Sequence, residues 1–384
     1  MKKTYGIDIS GFKKQSSGTG TFSLSLLQNV ISLDKRNTFL FYGFSLSDPS
    51  EIKDYFKANS SNVRVKLYPL YPAIVRRVWN ACPLLSADIL YKHVDMLHIS
   101  DNFFLPIKKI PLVATIYDMT PRLFPQFHTS RNIFFHRKRN NFIAEHAKRI
   151  ITVSENSKKD IAKIFPILSD KIVVVYGAAN KKFRLIKDDK FIRRILATYH
   201  LDYKKYILFV GNLEPRKNVE GLLDAFALLK KKMKIIYTLA LVGQKAWGWN
   251  NIQKKIDKLQ LGSSAVTTNY IPLDDLVAVY NGAKIFVHPS FYEGFGFPIL
   301  EAMACGIPVI TSNSSSLPEV VGNAGITVDP QDIKKLSLSM LELLENEKMQ
   351  IFYTKKSLKR VHQFSWKKSA EKVLRVYEEV TETT

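Results

Sequence analysis

The stretch His288-Pro-Ser-Phe-Tyr-Glu293-Gly-Phe-Gly-Phe-Pro298-Ile-Leu-Glu301-Ala-Met-Ala-Cys305-Gly-Ile-Pro-Val309-Ile decides the fold. A short apolar run, Ile285–Val287, feeds it, Gly294 and Gly296 break the run, and Pro298 suits the first turn of a helix, where a missing N–H costs nothing. A second β-branched run follows at Val309–Thr311. Strand, glycine turn, helix, strand is the repeating unit of a parallel sheet. The N–H groups of Gly294, Phe295 and Gly296 are expected to stand free at the turn and the helix N-terminus, an arrangement that takes anions and hydroxyls, and glycine lets the backbone come close. Glu293 lies before the turn and Glu301 one helical turn inside, so two carboxylates with seven residues between them could line one pocket. Paired hydrogen bonds from vicinal hydroxyls suit carboxylates, which points to a hexose and a ribose.

The same pattern runs outward along the chain. Val210-Gly211-Asn212-Leu-Glu-Pro-Arg216-Lys217-Asn218 again joins a strand to a helix, and its adjacent cations could neutralise a diphosphate, with Asn218 expected as the helix N-cap. Strands are predicted at Thr4–Ile9, Thr38–Tyr42, Val63–Leu67, Met96–Ile99, Leu112–Ile116, Arg149–Val153 and Ile172–Val175 in the first half. Tyr206–Val210, Thr238–Val242, Ala265–Thr268, Ile285–His288, Val309–Thr311 and Ile326–Val328 follow in the second. Helical spacing marks Val219–Lys232 and Trp366–Val380. The fold class is α/β, with two doubly wound parallel-sheet domains whose ligand edges lie at the strand C-termini. The strand count restarts at Tyr206 after a charged stretch, which gives domains at 1–190 and 191–362 and a terminal helix at 363–384.

Length and composition agree. The 384 residues suit two or three domains at about 100–200 residues each, and 46% hydrophobic with 24% charged residues excludes a disordered or collagen-like chain. The net charge is +23, concentrated at the front: residues 1–200 hold 33 Lys+Arg against 15 Asp+Glu, net +18, leaving 24 against 19, net +5, for the rest. Such a field favours phosphates, nucleotides or anionic lipid, or else decorates solvated faces with lysine. Two cysteines, Cys82 and Cys305, make no disulfide framework and have no metal-ligand spacing, so a cytoplasmic setting is expected. The start, Met1–Ser10, has no signal-peptide core, and no run reaches the roughly 18 apolar residues of a membrane span. Any membrane contact is then peripheral, on the inner face of the plasma membrane. Two basic aromatic segments could make it, Tyr71–Trp79 with Arg76 and Arg77, and Arg131–Arg139 with Phe134 and Phe135. In the alternative, Ile74, Val78, Phe134 and Phe135 are core positions of amphipathic helices.

These segments resemble the retaining glycosyltransferases of family 4, whose GT-B architecture has two facing Rossmann-like domains and a C-terminal helix that crosses back to the first. Glu293 and Glu301 match the paired glutamates of that family, and Gly211–Asn218, Glu293–Ile310 and Ser314–Gly325 read like its donor-domain signatures. The likeness extends from Gly6–Ile9 through Ile151–Ser157 to Phe364–Trp366. It implies a nucleotide-diphospho-sugar donor, GDP-mannose favoured, and no further cofactor. Arg216 and Lys217 would hold the diphosphate, with Gly211 and Asn212 beside them. Glu293 would hold the sugar, Glu301 the ribose, and the loop Gly294, Phe295, Gly296 and Phe297 would wrap the donor. Tyr270 and Ile271 would lie beside the base, and Gly18 and Gly20 in a glycine-rich loop near the donor phosphates.

Tyr117 and Asp118 follow a strand at the acceptor side, where many members have histidine in place of Tyr117, and His98 ends a neighbouring strand or else is a structural histidine. His136, His146 and His200 read as surface residues. The leaving diphosphate would deprotonate the acceptor on the same sugar face, so the catalytic group is Glu293, Lys217 and Arg216 with Tyr117 and Asp118. The chain has no Asp-x-Asp metal triplet, and no metal is expected. The acceptor would be a saccharide or lipid-linked saccharide in surface polysaccharide or lipopolysaccharide assembly. Rival readings are an epimerase or phosphorylase of the same architecture, or a non-catalytic nucleotide-sugar-binding partner. Nucleic acid is not an expected partner, since no recognition motif is present.

Overall fold

The computed structural model describes residues 1–10, 18–44, 61–71, 74, 75, 77, 78, 86–100, 105–233, 235 and 237–382. Arg76, Trp79 and Cys82 lie outside the described residues. Every predicted strand is present: β1 Thr4–Asp8, β2 Thr38–Phe44, β3 Val63–Tyr68, β4 Met96–Ile99, β5 Leu112–Thr115, β6 Ala147–Thr152, β7 Ile172–Val174, β8 Tyr206–Val210, β9 Thr238–Val242, β10 Ala265–Thr268, β11 Ile285–His288, β12 Val309–Ser312 and β13 Ile326–Val328. They form two parallel sheets, ordered β3-β2-β1-β4-β5-β6-β7 and β10-β9-β8-β11-β12-β13. Each order reverses beside its first strand, at β1/β4 and at β8/β11, and in doubly wound sheets ligands bind outside the strand C-termini at such a point.

The chain divides into two compact units, Met1–Gly177 with Ser365–Thr384, and Ala178–Phe364. In the first, α1 (Gly18–Leu33) and α2 (Ser130–His146) flank the sheet, whose core gathers Tyr42, Leu97, Leu112, Ala114 and Ile150. The second opens earlier than the boundary expected after residue 190. Phe183 packs edge-on against Tyr280 at 5.5 Å, the Ile186 N–H donates to Asn281 Oδ1 at 2.8 Å, and Asn281 Nδ2 donates to Arg184 O at 2.9 Å. These contacts tie the charged connector to the second unit before α3 (Asp189–Thr198) begins.

In the second unit α4 (Val219–Lys230) buries Leu222, Leu223, Ala225, Phe226 and Leu229 against Phe209, Leu239 and Leu241. Each large apolar side chain so buried contributes about 1.5–3 kcal/mol. α5 (Leu273–Gly282) and α6 (Phe297–Ala304) complete the elements that frame the site. The chain then returns to the first unit as α7 (Trp366–Glu382), which packs on α1 and buries Ala370, Val373, Val376 and Tyr377. Its polar side chains are pinned as well: Ser369 Oγ donates to Tyr176 O at 2.6 Å, and Arg149 pairs with Glu379. No helix among the described residues is long and apolar enough to cross a membrane.

Candidate active site

Beyond β8 the backbone at Gly211 has φ of 153°, a conformation that disfavours side chains, and a Cβ there would touch Lys217 Cε and His288 Cε1. A tight turn over Pro215–Lys217 then presents the two cations. Asn218 stands at the N-cap position expected of it but does not cap through its side chain. Its backbone is left-handed, at φ 54°, and its side chain makes no cap bond. Instead Nδ2 donates to Pro289 O at 3.1 Å and Pro330 O at 2.7 Å, so the residue fastens this loop to the one after β11.

Glu293 is the centre of a buried ionic cluster. Lys217 Nζ donates to its Oε1 at 2.5 Å, Arg216 Nη1 to its Oε2 at 3.0 Å, and His288 Nε2 lies 3.1 Å from Oε1. Arg216 also donates from Nη1 to Tyr292 O and from Nη2 to Glu214 Oε1, both at 2.7 Å. The Glu293 backbone is fixed too, its N–H donating to Ser315 Oγ at 3.0 Å and its carbonyl accepting from Ser316 Oγ at 2.9 Å. Burial opposes the charged carboxylate, but Lys217 and Arg216, aided by the bond to His288, outweigh it and hold Glu293 well below the usual carboxyl range. Burial also draws Lys217 down against the pull of Glu293. With an ionised carboxylate at 2.5 Å, the pair is assigned as ammonium and carboxylate.

Glu301 sits in a different setting. Tyr280 donates its hydroxyl to Glu301 Oε2 at 2.8 Å, no cation among the described residues pairs with the carboxyl, and burial pushes it up to about 7 against that hydrogen bond. The motif's two glutamates thus differ in charge state near neutrality: one is held ionised by cations, the other is poised to donate or accept. Gly296 has φ of 113° and would press a Cβ to 2.9 Å from Leu317, so it must stay glycine. Phe295 is buried against Phe297 and Phe364 at 5.2 and 5.9 Å. Gly294 and Phe295 both make further interactions within the protein. Asn212 follows Gly211 in the same loop, and beyond β10 Tyr270 is exposed while Ile271 is buried.

In the first unit several expectations change. Gly18 and Gly20 belong to the first turn of α1 rather than to a loop. His98 is 1% exposed, with Nδ1 2.6 Å from Tyr377 Oη and Nε2 2.8 Å from Thr115 Oγ1. Both nitrogens are spent inside the protein, and burial, helped by Arg139, lowers its pKa to about 3. These bonds tie the sheet to α7, the structural alternative for this histidine. Tyr117 donates its hydroxyl to Ser100 O at 2.6 Å, pairs with Ser23 Oγ, and meets Phe22 edge-on at 5.9 Å. Asp118 Oδ1 accepts from the Thr120 N–H at 2.9 Å and from its hydroxyl at 2.6 Å, a local turn that starts the next helical segment. His136 is half-buried rather than on the surface, and burial lowers its pKa to about 4.

Sequence reasoning gave no role to His288, Ser290, Ser315 or Ser316, although a strand-final histidine five residues before a glutamate was a readable signal. Ser23, 94 residues from Tyr117, had none.

A doubly wound pair of units with an ionic cluster at the switch point of the second defines a GT-B type of transferase. Residues 194–360 match the family described as glycosyl transferases group 1, and residues 18–182 match glycosyltransferase family 4. The chain is 31% identical over 365 residues to O-antigen chain mannosyltransferase B of Escherichia coli, covering 94% of this chain and 96% of that one. It is 29% identical over 296 residues to the serotype-specific mannosyltransferase WbdA of Escherichia coli, covering 74% of this chain but only 36% of that longer protein. Among solved structures it resembles Anabaena HepE in complex with UDP and glucose, at TM-score 0.75 and 17% identity over 98% of this chain and all of that one. The chain belongs to the group 1, family 4 glycosyltransferases and is a transferase enzyme.

Proposed function

We propose that the protein transfers mannose from GDP-mannose, with retention of anomeric configuration, to a saccharide or lipid-linked saccharide during surface-polysaccharide assembly. The observation that carries this is the 31% identity, across nearly the whole of both chains, with an O-antigen chain mannosyltransferase. In this reading the bond between C1 of mannose and the diphosphate oxygen breaks, C1 bonds to the acceptor oxygen on the same face, and the acceptor proton passes to the leaving phosphate. Arg216 and Lys217 neutralise the diphosphate as its charge grows, which is where fixed cations lower a barrier most. Glu293, held open by the same cations, accepts from hydroxyls of the sugar. Glu301, near the midpoint of its titration at neutral pH, exchanges hydrogen bonds with the ribose diol. Transfer needs no divalent metal, since the sequence has no Asp-x-Asp triplet.

A peripheral contact with anionic lipid belongs to the same proposal. It is supported by the basic front half and by α2, where Phe134 is 62% exposed among exposed Arg131, Arg137 and Lys138, while Arg139 turns inward to donate to Thr115 O. Ile74 and Val78 are exposed as well, against the alternative that they are core.

The test is transfer from GDP-mannose in EDTA, with the product linkage read by NMR. An α-linked product supports the reading. An inverted linkage, or turnover only with another nucleotide sugar, refutes it. Flotation with anionic vesicles at low salt tests the lipid contact, and a protein left wholly in solution ends that part.

A further inference from the structure

We propose that His288 is the positioning residue for Glu293: a neutral imidazole, protonated on Nε2, that donates to Glu293 Oε1 and fixes the carboxylate's rotation between its two cations. The role assigned to Glu293 rests on the donor reading above; the hydrogen bond does not.

His288 ends β11 and is fully buried. Its ring lies nearly parallel to Phe209 and Phe286, with centroids at 5.4 and 5.8 Å and interplanar angles of 12° and 13°. Its carbonyl accepts from Thr311 Oγ1 at 2.8 Å, so backbone and ring are both held. The proton can be assigned from the surroundings. Nε2 is 3.1 Å from Glu293 Oε1 and 3.1 Å from Ser290 Oγ, whereas Nδ1 is buried with no hydrogen-bond partner among the described residues. A bare Nε2 would turn a lone pair toward a carboxylate and leave an Nδ1–H as an orphan donor, which is the costlier arrangement. With the proton on Nε2, only an aromatic lone pair is left without a partner.

The ring also stays neutral. Burial works against protonation, and the charges of Lys217 and Arg216 reinforce it against the attraction of Glu293. His288 therefore adds direction rather than charge. Lys217 and Arg216 reach Glu293 on flexible stems that must also meet an incoming anion, whereas the imidazole is a stiff donor that no anion displaces. Oε1 receives Lys217 and His288, and Oε2 receives Arg216, so the plane of the carboxylate is set by three donors, two from the loop after β8 and one from the end of β11. A reacting group misplaced by an ångström loses about 10²-fold in rate, which is the scale on which such a donor matters.

The experiment compares His288→Leu with His288→Gln, whose amide N–H replaces Nε2–H, in wild-type and Glu293→Gln backgrounds. Wild-type transfer from GDP-mannose is the control for the donor reading. His288→Leu is expected to lower kcat about 10- to 100-fold, with donor KM changed less than about threefold, and His288→Gln to recover most of the loss. In the Glu293→Gln background His288→Leu should cost several-fold less than in wild type, because a neutral amide oxygen accepts the Nε2–H more weakly than a carboxylate does. Equal losses in both backgrounds, or no recovery by His288→Gln, would overturn the proposal. If the wild type transfers nothing, the donor reading fails and His288 is judged by ¹⁵N NMR of the intact protein. An Nε2–H tautomer from pH 5 to 8 whose shift moves in Glu293→Gln supports the assignment, and an Nδ1–H tautomer or a protonated ring overturns it.

Discussion

His98 and His288 occupy matching places in the two units and do different work. Each lies on the strand that joins its sheet's first strand across the switch point, β4 beside β1 and β11 beside β8. Each is buried and neutral, because a strand end at the middle of a parallel sheet is covered on both faces. Their partners separate them. His98 meets two hydroxyls, Tyr377 and Thr115, and ties the returning helix α7 to the sheet. His288 meets a carboxylate already paired with two cations. A buried histidine at a sheet's ligand edge is thus not in itself a site residue; what it hydrogen-bonds decides.

The contrast is broken most directly by removing a cation. Lys217→Met takes away the closest partner of Glu293 and is expected to reduce transfer by about 10²–10³-fold, read as initial rates at saturating donor. A loss below tenfold would mean that the cluster is only structural. On the other side of the comparison, His98→Phe leaves the Tyr377 and Thr115 hydroxyls unpaired in the interior, at a cost of about 1–3 kcal/mol in denaturant unfolding, while kcat and donor KM stay within about twofold. If instead the rate collapses and stability holds, His98 belongs to the site after all.

The two glutamates sharpen the same point through pH. Glu301 is raised in the folded protein to about 7 from an ordinary 4.5, so the folded state binds its proton more tightly than the unfolded chain does. Its contribution is fully present below about pH 4.5 and is lost as pH rises through about 7, roughly 3 kcal/mol in all at about 1.4 kcal/mol per pH unit. Glu301→Gln should flatten that part of the stability profile in urea titrations between these limits. An unchanged slope would show that the carboxyl titrates normally.

The strands were legible because β-branched runs bounded by glycine and charge leave little else to choose, and all of those predicted are present. The ionic cluster was half legible. Arg216, Lys217 and Glu293 stood out as residues, but their mutual pairing depends on two loops 76 positions apart meeting at one sheet edge. The two readings of His98 could not be separated in the sequence for the same reason, since Tyr377 arrives from 279 positions away on a helix that returns from the other unit. Asn218 has the right type and position for a cap, and only the left-handed backbone, with carbonyls of Pro289 and Pro330 within reach, redirects its side chain. Local pattern shows which groups exist, and the tertiary fold decides which of them are spent.

The central claim is that the Glu293 cluster receives the donor diphosphate. Calorimetric titration of GDP into wild type and Arg216→Met tests it without any acceptor. Loss of one cation predicts a GDP affinity at least about tenfold weaker in the variant. Equal affinities would place the diphosphate elsewhere and contradict the account.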